Sequence, residues 1–197
     1  MRYIGHLDLF RSWERTFRRS GLPLAYSQGF HPQPRLNLAC ALPLGFTSDC
    51  ELIDAWLEDV FLPSEIVDRL EPALPPGLSI LSVDLVDASL PALQTQVRSA
   101  VYVITCLDAV PDLEERVDHL LSAQHLPRQR RGKPYDLRDL VEWLEVLPPN
   151  EAGNARLCVQ LAAREGATGR PEELLAEMQI MPEDARVHRE KLLINSN

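Results

Sequence analysis

The spacing of apolar residues predicts a helix and then strands in the first part of the chain. From Leu9 to Phe17 the apolar residues recur at helical spacing, and Gly21 followed by Pro23 would end the helix. The stretches RLNLACALPLG and CELIDAWLEDV alternate apolar with small or polar residues, which is typical of strands. The expected elements after the first helix are a strand in 35–45, a strand in 50–60, a helix in 62–74 and a strand in 78–86.

The same order of elements returns after a linker near residues 88–96. Its expected members are a strand in 97–107, a helix in 112–124, a strand or strand-like arm in 135–147, a strand in 154–164, a helix in 169–178 and a short strand in 187–195. This order is the β-α-β-β-α-β split motif, and the first part matches it without its N-terminal strand. We therefore predict an α+β fold of two tandem ferredoxin-like halves, 1–90 and 91–197.

The composition indicates a protein with a real core and no membrane segment. Of 197 residues, 45% are hydrophobic and 25% charged, and no apolar run approaches the ~18 residues of a membrane span. Charges interrupt the N-terminus, so it does not read as a signal peptide, and we expect a cytoplasmic protein. The four cysteines are scattered without metal-ligand spacing, and we expect neither a metal nor another cofactor.

Charge is distributed very unevenly along the sequence. The net charge is −9, yet residues 1–38 carry +4 and residues 126–138 carry +4, which leaves −17 for the rest. Two concentrated basic zones on an acidic chain are typical of local anion-binding faces. Two solvated basic faces remain the alternative.

Three stretches could carry binding chemistry. In RYIGHLDLFR, Arg2 and His6 precede or open the first helix, whose N-terminus favours anions, although Asp8 is expected to cap it. A second stripe of that helix is basic and consists of Arg11, Arg15 and Arg18.

The second stretch that could carry binding chemistry is SQGFHPQPR. Gly29 permits positive φ, and Pro32 and Pro34 stiffen a loop that would present side chains for phosphate contact and base stacking. The phosphate-binding candidates are His31 and Arg35, and the stacking candidates are Tyr26 and Phe30. Alternatively, the prolines only protect the start of an edge strand.

The third stretch, PRQRRGKPYDLRD, resembles a flexible arm that grips a nucleic-acid backbone. Its basic candidates are Arg128, Arg130, Arg131 and Lys133, and Tyr135 is a further stacking candidate. A solvated loop is the alternative. No phosphate-binding loop, metalloprotease motif or nucleophile elbow is present, and we assign no catalytic residue.

The first forty residues resemble a known family. The segments that carry the resemblance are HLDL (6–9), RRSGLPLAYS (18–27), GF (29–30), Pro32, Pro34 and LPLG (42–45), with weaker matches at Asp136-Leu137-Arg138 and Arg170-Pro171-Glu172. They are similar to the radical SAM-linked family, a bacterial domain of unknown function (number 2344 in its series). Members stand alone or are attached to cobalamin-binding radical SAM proteins, which implies an accessory role. Family members usually have a strand before this motif, and serine where Gly5 stands.

These features together predict an accessory, non-catalytic module that binds RNA or presents substrate to a radical SAM enzyme, without DNA specificity. One alternative is a pure protein-interaction partner of such an enzyme, docked through the first helix or an exposed sheet edge. The other is a metal-independent RNA-processing enzyme that uses His6 or His31 as acid or base.

Overall fold

The structure is a computed structural model that describes residues 1–195. The helices are α1 (His6–Ser20), α2 (Pro63–Leu70), α3 (Leu93–Gln96), α4 (Leu113–Ser122) and α5 (Pro171–Glu177). The strands are β1 (Leu36–Leu38), β2 (Thr47–Ser48), β3 (Ile53–Ala55), β4 (Val97–Cys106), β5 (Pro127–Arg130), β6 (Lys133–Asp136), β7 (Val141–Leu147), β8 (Arg156–Arg164), β9 (Ala167–Thr168) and β10 (Ala185–Ile194). The protein is α+β, with parallel and antiparallel pairing in its sheets.

The chain divides into two compact units. Unit 1 comprises residues 1–44 and 51–95, and unit 2 comprises residues 45–50 and the chain from residue 96. Among residues 1–195, no helix is long and apolar enough to cross a membrane.

Unit 1 is built on the apolar face of α1. Phe17 is buried in a cluster to which α2 contributes Ile66 and Leu70. Gly21 ends α1 at a φ of 71°, a left-handed conformation in which a side chain would be strained. β1 and β3 form an antiparallel pair, and Leu36 of β1 belongs to the same core. The polar side of α1 is exposed to solvent.

Unit 2 is built on a larger sheet in the spatial order β2-β10-β4-β8-β7. Neighbouring strands from β10 to β7 are antiparallel, and the short β2 runs parallel to β10. One face of the sheet is apolar: Ala100 and Ile104 of β4 are fully buried opposite Leu161 and Leu157 of β8. Along the chain the main elements follow the order β4, α4, β7, β8, α5, β10.

Several sequence-based boundaries are corrected. The strand predicted in 35–45 is shorter in the structure: β1 ends at Leu38, and one further hydrogen bond, from Ala39 N–H to Leu52 O at 3.0 Å, follows it. The strand predicted in 78–86 does not form, since no strand of residues 1–195 pairs with it. The α+β class is confirmed, and the tandem ferredoxin-like arrangement is not.

Candidate functional site

The basic stripe of α1 is exposed to solvent. Arg11 lies 3.4 Å from Asp8 and Arg18 lies 2.8 Å from Glu14, in pairs one helical turn apart. Arg15 is exposed and contacts no charged side chain among the described residues. Exposed pairs of this kind contribute about 0–1 kcal/mol, so a phosphate competes readily for these arginines.

The start of α1 differs from the expectation. Gly5 is the N-cap, no side chain caps the helix, and Asp8 pairs with Arg11 instead. His6 is exposed at the first helical position, and the guanidinium of Arg2 lies 5.5 Å from the centre of the Tyr3 ring.

Residues 27–33, which we call the aromatic loop, project from a closed base. Tyr26 and Pro34 form a bridge, and Ser27 N–H donates to Gln33 O at 2.8 Å. Gln33 N–H in turn donates to Ser27 Oγ at 2.9 Å. Two hydrogen bonds and the proline-restricted backbone therefore hold the two ends of the loop together.

The tip of the aromatic loop carries an unusual side chain. Phe30 is fully exposed, whereas aromatic rings normally dominate cores and interfaces. His31 beside it is exposed, and Tyr26 at the base has 41% of its surface exposed. All three side chains are therefore accessible to solvent, and their roles in stacking and phosphate contact remain predictions.

Arg35 is fixed at the base of the aromatic loop. Its N–H donates to Ala25 O at 2.8 Å, and its carbonyl accepts from Trp56 N–H at 3.1 Å. Its guanidinium lies 4.7 Å from the centre of the Trp56 ring. Stacking on an indole holds the guanidinium plane while leaving its edge N–H groups free to donate to an anion. Sequence reasoning missed Trp56, because its alternation pattern suggested only a strand position.

The second basic zone forms a hairpin in unit 2 rather than a flexible arm. β5 and β6 pair antiparallel, and the turn between them has positive φ at Arg131 and Gly132, 50° and 77°. Positive φ at both central residues is the geometry that joins two strands by a two-residue turn. Arg131 and Lys133 are exposed at this turn.

Arg128 and Arg130 are engaged by acidic side chains of α5. Arg128 pairs with Glu177, and Arg130 Nη2 lies 2.8 and 2.7 Å from the two carboxylate oxygens of Glu173. Burial lowers the pKa of Arg130, but Glu173 outweighs burial and raises it. These two arginines therefore link β5 to α5. Of the four basic residues predicted to contact phosphate, only Arg131 and Lys133 at the turn are exposed.

Tyr135 is also engaged. The guanidinium of Arg130 lies 4.7 Å from the centre of its ring, and burial and Glu173 raise the pKa of its hydroxyl. One face of this predicted stacking residue is thus covered.

A polar cluster on β4, β7 and β8 was not predicted from the sequence. Glu142 accepts hydrogen bonds from Ser99 Oγ at 2.6 Å and Gln160 Nε2 at 2.7 Å, and Arg164 Nη1 lies 3.1 Å away. Burial raises the pKa of Glu142, but these bonds outweigh it and hold the pKa below its ordinary value. The cluster is fully paired, which indicates a structural role.

The two buried cysteines lie in surroundings that make their thiols unreactive. Cys106 and Cys158 are buried, and burial raises the pKa of both thiols, which makes them poor nucleophiles. Within residues 1–195, no group of three histidine, cysteine, aspartate or glutamate side chains is placed to hold a metal ion.

The fold and surfaces define an α+β protein with exposed arginines and an exposed aromatic loop in unit 1. The chain belongs to an uncharacterized protein family conserved in bacteria, DUF2344, whose model matches residues 1–171. No curated protein matches it.

Two solved structures resemble the chain at low identity. A chain of the crystal structure of a Cbf5-Nop10-Gar1 complex is 11% identical, with a TM-score of 0.47 over 98% of this chain and 46% of that one. A chain of an H/ACA RNP bound to a substrate RNA containing 2'-deoxyuridine is 13% identical, with a TM-score of 0.42 over 95% and 43%. The protein spans less than half the length of either chain.

Proposed function

We propose that the protein is a non-catalytic RNA-binding module whose unit 1 contacts unpaired nucleotides. The observation that carries the proposal is the exposed ring of Phe30 on a loop closed by the Ser27–Gln33 hydrogen bonds. The closed base restricts the backbone that carries Phe30, which lowers the ordering entropy lost on binding, and base stacking on aromatic rings is worth about 1–3 kcal/mol per base.

Unpaired RNA fits this loop better than a duplex does. The bases of a duplex are stacked on one another, so a protruding ring reaches a base face only where the strand is open. Tyr26 at the base of the loop offers a second ring, and His31 and Arg35 offer donors beside it. These side chains suit a nucleotide whose base stacks on an aromatic ring of the loop and whose phosphate is bound by Arg35.

The arginine stripe of α1 supplies the electrostatic part of the proposal. Arg11, Arg15 and Arg18 are exposed and at most weakly paired, so they can bind phosphates and displace the cations condensed on the RNA. Within unit 2, the exposed turn residues Arg131 and Lys133 are separate candidates for phosphate contact, whereas Arg128 and Arg130 are paired with glutamates. Arg2 and His6 near the start of α1 complete the proposed phosphate-contacting set.

We also propose the two-part organisation, with an N-terminal half over 1–90 and a C-terminal half over 91–197. The C-terminal half has the element order of a split β-α-β fold, and its four main strands lie in the order fourth, first, third, second. The N-terminal half retains the order helix, strand, strand, helix. This supports a ferredoxin-like C-terminal half and an incomplete N-terminal one.

The proposal is tested by fluorescence anisotropy with a labelled single-stranded RNA, the same RNA in a duplex, and single-stranded DNA of the same sequence. We expect the single-stranded RNA to bind most tightly. Equal affinity for the duplex would contradict the stacking part of the proposal. No binding at low salt would contradict the proposal as a whole.

The protein-partner alternative rests on the family resemblance. It would use the same α1 or a sheet edge to contact a radical SAM enzyme. Recovery of that enzyme with a tagged chain, lost on replacing the stripe arginines by glutamine, would favour this alternative over RNA binding.

A further inference from the structure

Residues 79–86 form an unpaired segment of unit 1. The chain runs from 78 to 87 without a turn or bend, yet it belongs to no strand. Ile80 and Val83 pack against the buried cluster of unit 1, which anchors the segment. Within the described residues, none of its backbone N–H or C=O groups has a hydrogen-bond partner.

The exposed positions of this segment include three large apolar side chains beside Ser79, Ser82 and Asp84. Leu81 and Leu85 are 74% and 69% exposed, and Val86 is also exposed. Unpaired backbone groups beside exposed apolar side chains are a template for pairing with another strand. The backbone requirement favours a polypeptide strand as the occupant.

We propose that a second copy of the chain pairs with this segment, antiparallel and two-fold symmetric about Val83. That register places Leu81 opposite the second copy's Leu85, and Ile80 opposite its Val86. The only charged residue among 79–86 is Asp84, which then faces a serine, Ser82, of the second copy. No like charges meet, and apolar residues meet apolar residues.

The self-complementarity of residues 80–86 favours a second copy as the occupant. A two-fold interface must place the same patch on both partners, and ILSVDLV reads with the same polarity pattern in both directions. Pairing would give hydrogen-bond partners to the backbone groups that face the other copy, in both copies at once. The segment is separate in sequence from the aromatic loop and the stripe, so the inference stands apart from the proposed function.

The test is the mass of the full chain by sedimentation equilibrium across a concentration series. We expect a reversible dimer, with a dissociation constant on the order of 10 µM, because a single strand pair is smaller than the ~800 Å² per partner of a standard interface. Leu85→Lys should weaken the dimer at least tenfold, since it places an ammonium against Leu81 of the second copy. Val60→Lys is the matched control, because Val60 is almost fully exposed outside the segment.

A crosslinking experiment tests the register. A Ser82→Cys chain mixed with an Asp84→Cys chain should give a disulfide-linked dimer under mild oxidation, and neither the wild-type chain nor a Ser79→Cys chain mixed with Asp84→Cys should do so. A wild-type chain that stays monomeric across the series would overturn the inference. A dimer that Leu85→Lys leaves intact, or that Val60→Lys weakens equally, would overturn it as well.

Discussion

Arg130 holds the carboxylate of Glu173 with both oxygens within 2.8 Å of Nη2, and its Nη1 donates to Thr168 O at 2.8 Å. A residue that the sequence places in a basic run is thereby a cross-link between the β5–β6 hairpin and α5. Both side chains of the pair are about three-quarters buried. The charge of Arg130 is therefore neutralised within the protein, whereas the next residue, Arg131, is exposed.

Replacing Glu173 by glutamine should destabilise the protein by about 1–3 kcal/mol, because Arg130 then keeps a partly buried charge without its partner. Urea unfolding at neutral pH measures the change. Glu151→Gln is the control, since Glu151 is exposed and makes no hydrogen bond or ion pair within the described residues. Equal destabilisation by both variants would contradict the assigned role of the pair, and RNA affinity should be unchanged in either.

Phe30→Ala should weaken binding of single-stranded RNA about tenfold, because one stacked base loses its platform. Phe30→Trp should retain the affinity, and the thermal midpoint should not move because the ring is fully exposed. Val60→Ala, at another exposed apolar position, serves as the control. An affinity unchanged by Phe30→Ala would remove the aromatic loop from the proposed site.

Because the pKa of Glu142 is lowered in the folded protein, we expect the free energy of unfolding to depend on pH. Its pKa is lower in the folded protein than in the unfolded chain, so its contribution is fully present above the unfolded pKa of about 4.3. The contribution disappears as the pH falls through the folded pKa. Urea unfolding should therefore show Glu142→Gln less stable than wild type at pH 7, with a difference that shrinks in acid.

The control for that series is Glu145→Gln. Glu145 is exposed on the same strand and makes no hydrogen bond or ion pair in the described chain. It should show no such pH-dependent difference. A wild-type advantage over Glu142→Gln that persists unchanged into acid would contradict the charge-based account of the cluster.

The helices and the long strands could be predicted from the sequence because they depend on local periodicity. α1 has a continuous apolar face, and β4 alternates between the buried sheet face and the other side. The segment 78–86 has the same alternation, but a strand forms only where a neighbour supplies hydrogen bonds. That neighbour is a property of the tertiary fold, which the local pattern does not contain.

The candidate site, like the fold, could be predicted from the sequence only where it depends on local residues. The turn chemistry of Gly29, Pro32 and Pro34 predicts a stiff loop, and the structure closes that loop with two hydrogen bonds between Ser27 and Gln33. Pairing between distant residues was not predictable: the glutamates that engage Arg128 and Arg130 lie 49 and 43 positions away. Likewise the Trp56 ring beneath Arg35 comes from another strand region.

The most direct test of the central claim is the salt dependence of RNA binding by the wild-type chain and by the triple variant Arg11→Gln, Arg15→Gln, Arg18→Gln. Each lost contact to a single-stranded phosphate should reduce the slope of log affinity against log salt by about 0.7, so the triple variant should lose about 2. Arg186→Gln, an exposed arginine of β10, should leave the slope unchanged. Wild-type binding without salt dependence, or an equal slope in the triple variant, would contradict the account.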